Sequence, residues 1–215
     1  SDTGARALER FVERHGVPVA ETQAGKGAIA WDHPLQAGAI GVTGGTAANA
    51  LAHEADLVLA VGTRLQDFTT GSHTLFPQAQ LVAINVNAFD AAKWHALPVA
   101  GDAAATLDAL TERLSGWTAD TAWSARAQRE ARGWRDVVTA IVGVRDVKPP
   151  ALPYDGEVMG AVQRHARSAE DDIVVCAAGS LPGELHKLWR AARPGAYHVE
   201  YGYSCMGYEV AGGLG

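Results

Sequence analysis

The sequence predicts an α/β fold built on a parallel sheet, and three observations carry that expectation. Leu57-Val-Leu-Ala-Val61 is a continuous apolar run of the kind that forms a strand buried on both faces. Leu81-Val-Ala-Ile84 repeats the pattern, and Val99 marks a shorter third run. Helical stretches separate the runs, and strand–helix alternation at this spacing argues for parallel pairing through crossovers.

The elements follow in order. Ala5 to His15 reads as a helix, because Leu8, Phe11 and Val12 share a face while Arg6, Glu9, Arg10, Glu13 and Arg14 cover the other. Gly16 stops it, and Val17-Pro-Val-Ala20 reads as a short strand. Residues 21 to 45 are loop-rich, with Gly25, Gly27, Gly38, Gly41, Gly44 and Gly45. Thr46 is a candidate cap for a helix through Ala47, Ala48, Ala50, Leu51 and Ala52. Asp56 leads into the first apolar run, and a helix from Ala103 to Leu114 completes the alternation. Trp117 to Val144 reads as one or two helices.

Arg145-Asp-Val-Lys-Pro-Pro-Ala-Leu-Pro153 is the clearest boundary, since its prolines cannot continue a helix. The expected organisation is therefore residues 1–145, a linker over 146–155, and a second unit over 156–215. Asp155 can cap the next helix, whose buried face would carry Val158, Met159 and Val162. Ile173-Val-Val-Cys-Ala177 reads as a core strand, Leu181 to Ala192 reads as a helix that starts around Pro182, and Tyr197-His-Val-Glu-Tyr201 reads as another short strand.

Composition narrows the function classes. The 215 residues are 47% hydrophobic and 20% charged, with a formal net charge of −6, so no basic footprint for nucleic acid is present. Arg126, Arg129, Arg132 and Arg135 are interleaved with Glu130 and Asp136, which reads as a solvated helix face. The two cysteines, Cys176 and Cys205, make neither a disulfide framework nor a metal pattern, which fits a reducing, cytoplasmic compartment. No apolar run reaches the ~18 residues of a membrane span.

Two stretches are candidates for chemistry. Gly179-Ser180-Leu181-Pro182-Gly183 follows a core strand and opens a helix, whose terminal amides and dipole suit an anion; an ordinary strand-to-helix turn is the alternative. Ser180 lacks the glycine spacing of a nucleophile elbow, having Ala178 before it and Pro182 after it. The second stretch is Glu200 to Gly215, where aromatics and Met206 precede a helix too rich in glycine to rest on propensity, each Gly costing about 1 kcal/mol against Ala. It is either a tightly packed core helix or a ligand site. Elsewhere, Gly41-Val-Thr-Gly-Gly45 fits neither the dinucleotide nor the P-loop pattern, and His53 with Glu54 does not make a two-histidine zinc site.

Tyr203-Ser-Cys-Met-Gly-Tyr-Glu-Val-Ala-Gly-Gly-Leu-Gly215 resembles the Met-Gly turn and following helix of thiamine-diphosphate enzymes of the acetohydroxyacid synthase superfamily. More narrowly, the chain resembles the trihydroxycyclohexane-dione hydrolases of myo-inositol breakdown. That likeness rests on Glu21-Thr-Gln-Ala-Gly-Lys-Gly-Ala28, Gly41-Val-Thr-Gly44, Val61-Gly-Thr-Arg-Leu-Gln-Asp-Phe-Thr-Thr-Gly71 and Leu181-Pro-Gly-Glu-Leu-His-Lys-Leu-Trp189. It implies a Rossmann-like central domain lacking its first strand, then the start of a thiamine-diphosphate-binding α/β domain.

The resemblance also assigns roles. Met206 would be the wedge that bends thiamine diphosphate, an apolar and polarisable side chain suited to an irregular gap. The Ser204 carbonyl would receive the aminopyrimidine amine, the Met206 amide a pyrimidine nitrogen, and Cys205 would pack between them. Gly179, Ser180 and Leu181 would cradle the diphosphate, with His186 beside it. Arg64 matches a residue that contacts FAD in the synthases, but Asn85 and Asn87 stand where those enzymes carry aspartates, so FAD is not expected. The activating glutamate and the Mg2+ ligands would lie before Ser1 and beyond Gly215. The chain is thus expected to be an inactive fragment of a homodimeric or homotetrameric enzyme acting on a small cyclic dione. An enzyme acting on 2-oxoacids, or a non-catalytic nucleotide-binding module using the residue 41–71 loops, are the alternative readings.

Overall fold

The computed structural model describes residues 1–144, 151–165, 171–177, 179–200, 202–203 and 205–215. It is α/β, as the sequence predicts. Helix α1 (Asp2–His15) is capped by the Ser1 hydroxyl, which accepts the Gly4 N–H, and ends on Gly16 at φ 66°. Strands β1 (Val19–Glu21) and β2 (Gln36–Ala39) pair in parallel. Helix α2 (Thr46–Glu54) then crosses back to β3 (Leu57–Val61). Strands β3, β4 (Gln80–Asn85) and β5 (Leu97–Ala100) form a second parallel sheet in that order. Two single-turn helices intervene, α3 (Asp67–Thr70) and α4 (Ala88–Ala91), and α5 (Ala103–Arg113) closes the series behind its Asp102 cap. Helices α1 and α5 pack together, and Ala7, Phe11, Ile84 and Leu107 bury the sheet face beneath them.

Of the face expected to be buried after Asp155, Met159 is 4% exposed but Val158 and Val162 are 46% and 55% exposed, and two further expectations are refined. Residues 21–45 are not all loop: β2 runs through Gln36-Ala-Gly-Ala39, a strand without a single β-branched residue and therefore without a sequence signature. Thr46 does not cap α2; it is the first helical residue, and Gly45 stands at the cap with no side-chain bond. The Trp134 ring lies where a Cβ on Gly45 would point, so the cap position admits no side chain.

Trp117 lies ahead of a single 22-residue helix, α6 (Thr121–Val142), capped by Asp120. Its first half buries Ala127 against Ala37, Ala48 and Leu51; its last turns bury Val138 and Val142 in a different core. That second core comprises α7 (Asp155–His165), β6 (Val174–Cys176), α8 (Ser180–Leu188) and β7 (Tyr197–Val199), with β6 and β7 parallel. Helix α8 begins two residues earlier than Pro182 predicts and α9 (Tyr208–Leu214) ends the description. Half of the linker expected over 146–155, residues 146–150, lies outside the described residues. Helix α6 is the one element that lends side chains to both cores described here.

Candidate functional site

In a parallel α/β sheet, loops beyond the carboxyl ends of the strands form the ligand crevice. Beyond β6 lies Gly179, at φ 120° and ψ −172°, a conformation that strains any side-chain-bearing residue. Open space surrounds the position its Cβ would occupy. Among the described residues no side chain caps α8, and none accepts from the amides of Ser180 and Leu181 at the helix start. Ser180 is exposed and Leu181 is 45% exposed.

Beyond β7 the chain makes a turn held by two carboxylates. Glu200 accepts the Tyr203 N–H at 3.0 Å and the Cys205 N–H at 2.9 Å, and these amides, Cys205 first, hold its carboxyl below the usual range. Glu209 accepts the Gly207 N–H at 3.0 Å and the Ala177 N–H at 3.2 Å, tying the first turn of α9 to the end of β6. The turn thus presents Tyr203 and Met206, exposed at 89% and 82%, near the end of β6, to which Glu209 ties it. Cys205 is an exposed free thiol, and the predicted Ser204 lies outside the described residues.

An open cradle above a positive-φ glycine, an uncapped helix start and an unpacked thioether fit a ligand with an anionic end and an apolar, aromatic end. Thiamine diphosphate is such a ligand. Gly179, Ser180 and Leu181 would hold its diphosphate, and Met206 would stand against its rings.

His186 departs from expectation. It is 1% exposed and both ring nitrogens are engaged. Nε2 meets the Glu21 carbonyl at 3.1 Å, and that acceptor requires an N–H there; Nδ1 then accepts the Thr43 hydroxyl at 3.0 Å. Burial, aided by the Lys26 charge, pushes the imidazole pKa down to about 3. A neutral, doubly bonded ring has no donor left for a phosphate. One turn earlier on the same face, a Cβ on Gly183 would lie 3.1 Å from Thr43 Cγ2, so glycine permits the close approach that the His186 bond needs.

Sequence reasoning missed the polar seam around this histidine. Lys26 Nζ lies 2.6 Å from Glu21 Oε1, the two side chains being 3% and 8% exposed, and the Gly27 N–H completes the carboxylate at 3.0 Å. Alongside, the Cys176 thiol donates to the Tyr197 hydroxyl at 3.3 Å, which donates to Gln23 at 3.2 Å. Burial raises both the phenol and the thiol, so both stay protonated and able to donate. The only available signal was an acid and a base five residues apart in a glycine-rich loop.

At the carboxyl ends of the first-half strands, Arg64 is exposed. Asn85 is buried and spends its amide on the Thr63 carbonyl and the Asn87 N–H, a structural role in the loops. Among the described residues, no group of three His, Cys, Asp or Glu could hold a metal ion, and no helix is long and apolar enough to cross a membrane.

Comparison with known proteins gives this geometry a context. The chain is 41% identical to a 3D-(3,5/4)-trihydroxycyclohexane-1,2-dione hydrolase of Geobacillus thermodenitrificans, over 98% of this chain and 36% of that protein. It is 40% identical to hydrolase 1 of the same name from Bacillus cereus and 39% identical to that of Bacillus thuringiensis, with the same coverage. It spans about a third of the length of these curated relatives. A family model described as thiamine pyrophosphate enzyme, central domain, matches residues 1–110, from α1 into α5. Through that half of its length the chain belongs to the thiamine pyrophosphate enzyme family.

Proposed function

We propose that this chain is part of a cytoplasmic, thiamine-diphosphate-dependent hydrolase that opens the ring of 3D-trihydroxycyclohexane-1,2-dione to 5-deoxyglucuronate in inositol breakdown. In this reading residues 1–145 form the central unit, 146–155 the linker and 156–215 the opening of the cofactor-binding unit. The observation that carries it is the pairing of the Gly179–Leu181 helix start with the Met206 turn at the ends of adjacent parallel strands. The similarity to the dione hydrolases supplies the substrate class.

The net reaction breaks the bond between two adjacent carbonyl carbons. The oxygen of one water ends on the first carbon as a carboxylic acid, and a hydrogen ends on the second as an aldehyde. Bound thiamine diphosphate supplies the electron sink that such a cleavage requires. The residues of this chain bind and orient. The α8 amides meet the diphosphate, with Mg2+ neutralising its remaining charge from ligands outside residues 1–215. Glu200 and Glu209 fix the turn that presents Met206. The site is completed by other parts of the polypeptide and by a partner copy in a homodimer or homotetramer, so the 215-residue chain alone turns nothing over.

The test is turnover of the cyclic dione by the full-length protein, with and without thiamine diphosphate and Mg2+. Acid formation that vanishes without the cofactor is expected. Turnover of pyruvate but not of the dione would replace the substrate, and cofactor-independent activity would overturn the reading.

A further inference from the structure

Four cationic side chains converge on one small cavity, in a chain whose net charge is −6. The cavity measures about 40 Å³ and lies where α6, the end of α8 and the loop between β1 and β2 meet. Arg135 reaches it from α6, Lys187 from α8, Arg190 from just past α8, and Lys26 from the loop. Trp31, Trp134 and Trp189 form apolar wall. Among the described residues Glu21 is the one acid in the lining, and Lys26 and the Gly27 N–H already occupy its carboxylate.

Two of these charges are answered and two are not. Lys26 is held by Glu21, and Lys187 lies 2.6 Å from Glu184. Among the described residues, no carboxylate comes within 4.0 Å of either guanidinium. Arg135 donates to the His33 carbonyl at 3.4 Å, and Arg190 to the Thr139 hydroxyl at 2.6 Å. That hydroxyl donates in turn to the Arg135 carbonyl at 2.7 Å, so the Arg190 head is docked one turn along α6 from Arg135. The Arg190 Nε is buried without an acceptor, and its guanidinium lies 4.6 Å from the centre of the Trp31 ring. Burial pushes its pKa down, as expected of a cation drawn out of water with no counter-charge.

Helix electrostatics do not account for this. Cations near the end of α8 offset its dipole, which explains Lys187. Arg135 belongs to another helix. Of the four arginines expected on a solvated face, Arg129 and Arg132 are exposed and Arg126 pairs with Glu54, but Arg135 is half-buried against the cavity. A guanidinium presents a fork of donors that matches a carboxylate or a phosphate. A buried water needs about 10–15 Å³ of such space, so the cavity holds about three, the room of one small oxyanion.

We propose that this pocket binds a small oxyanion, a phosphate or a carboxylate group, between Arg135 and Arg190. The anion accepts from both guanidinium groups, the orphaned Arg190 Nε included, and the tryptophan walls strengthen the attraction by keeping water away. Trp31 belongs to the first half of the chain, Arg135 to α6 and Arg190 to the segment after α8, so the bound anion joins all three. The pocket lies at the opposite end of α8 from Gly179, about 13 Å along a helix of nine residues. The inference is therefore independent of the catalytic reading.

Titration of the full-length protein with sodium phosphate, at an ionic strength held constant with sodium chloride, tests it. Because three tryptophans line the pocket, intrinsic fluorescence should change and saturate. Arg190→Gln and Arg135→Gln should each raise the half-saturating phosphate about 10-fold or more, the loss of a charge-assisted bond. Gly179→Val, at the other end of α8, should leave it unmoved. Sodium acetate in a parallel titration separates the two sources: tighter phosphate assigns the site to a phosphate, and tighter acetate to a carboxylate. No saturable change with either anion in the unsubstituted protein would overturn the proposal, and this arm stands even if neither arginine variant folds. Equal half-saturation with and without the arginines would overturn it by placing the anion elsewhere. A loss in Gly179→Val as large as in Arg190→Gln would overturn it by placing the anion at the start of α8.

Discussion

The His186 imidazole accepts the Thr43 hydroxyl at 3.0 Å across 143 residues of sequence, and this bond joins the helix at the candidate cofactor site to the first half of the chain. With Nε2 on the Glu21 carbonyl, the ring must be neutral and in one tautomer. Helix α8 is thus oriented from below, by a residue that does not face the ligand.

Acid should open this joint. The imidazole pKa is about 3 in the folded chain against about 6.5 unfolded, so between those values the unfolded state binds the extra proton. Stability is then full above pH ~6.5 and falls by up to ~1.4 kcal/mol per pH unit from this group on the way to pH 3. Urea unfolding of the His186→Phe chain should start about 1–3 kcal/mol less stable at pH 7.5, with the Thr43 hydroxyl and Glu21 carbonyl orphaned, and should lose this part of the pH slope. An unchanged slope would assign the acid sensitivity to other groups.

The buried Glu21–Lys26 pair should respond asymmetrically. Lys26→Met strands a carboxylate that is 8% exposed and should cost about 3–5 kcal/mol, as should Glu21→Leu, which strands the ammonium. The double substitution Glu21→Leu/Lys26→Met should recover much of that loss, because neither charge is then left buried. Thermal or urea unfolding of the four proteins gives the coupling directly; additive losses would show that the pair does not act as a unit.

These two networks show where sequence reading stopped. β3 and β4 were legible because Leu57–Val61 and Leu81–Ile84 are unbroken apolar runs. β2 was hidden, since an Ala/Gly strand is stabilised by Trp134 and α2 packing against it rather than by its own propensity. The turn chemistry around Gly179 and Met206 was visible as glycine placement and an isolated thioether. His186 was visible as a polar residue near them, but its partners, Thr43 and the Glu21 carbonyl, are joined only by tertiary structure. A local pattern shows which face a helical residue occupies; it does not show what arrives at that face.

Met206 separates binding from stability. Being 82% exposed, its replacement by alanine should shift the unfolding free energy of the chain by no more than about 0.5 kcal/mol. In the full-length protein the same change should weaken thiamine diphosphate binding, followed by intrinsic fluorescence, and lower kcat for the dione. Unaltered affinity and turnover would remove Met206 from the site.

Gly179 should behave in the opposite way from a packing residue. At φ 120° a side chain strains the backbone, so Gly179→Val should cost about 1–3 kcal/mol although, among the described residues beyond its chain neighbours, no atom lies within 4 Å of the new Cβ. The open space matters in the full-length protein, where the valine would project into the region in front of the uncapped α8 amides. Thiamine diphosphate affinity should then fall more than the stability loss alone accounts for, while Gly183→Ala, which presses on Thr43 instead, should lower stability with a smaller effect on affinity. Equal losses of affinity in the two variants would mean that the helix start is felt only through folding, and that the diphosphate is held elsewhere.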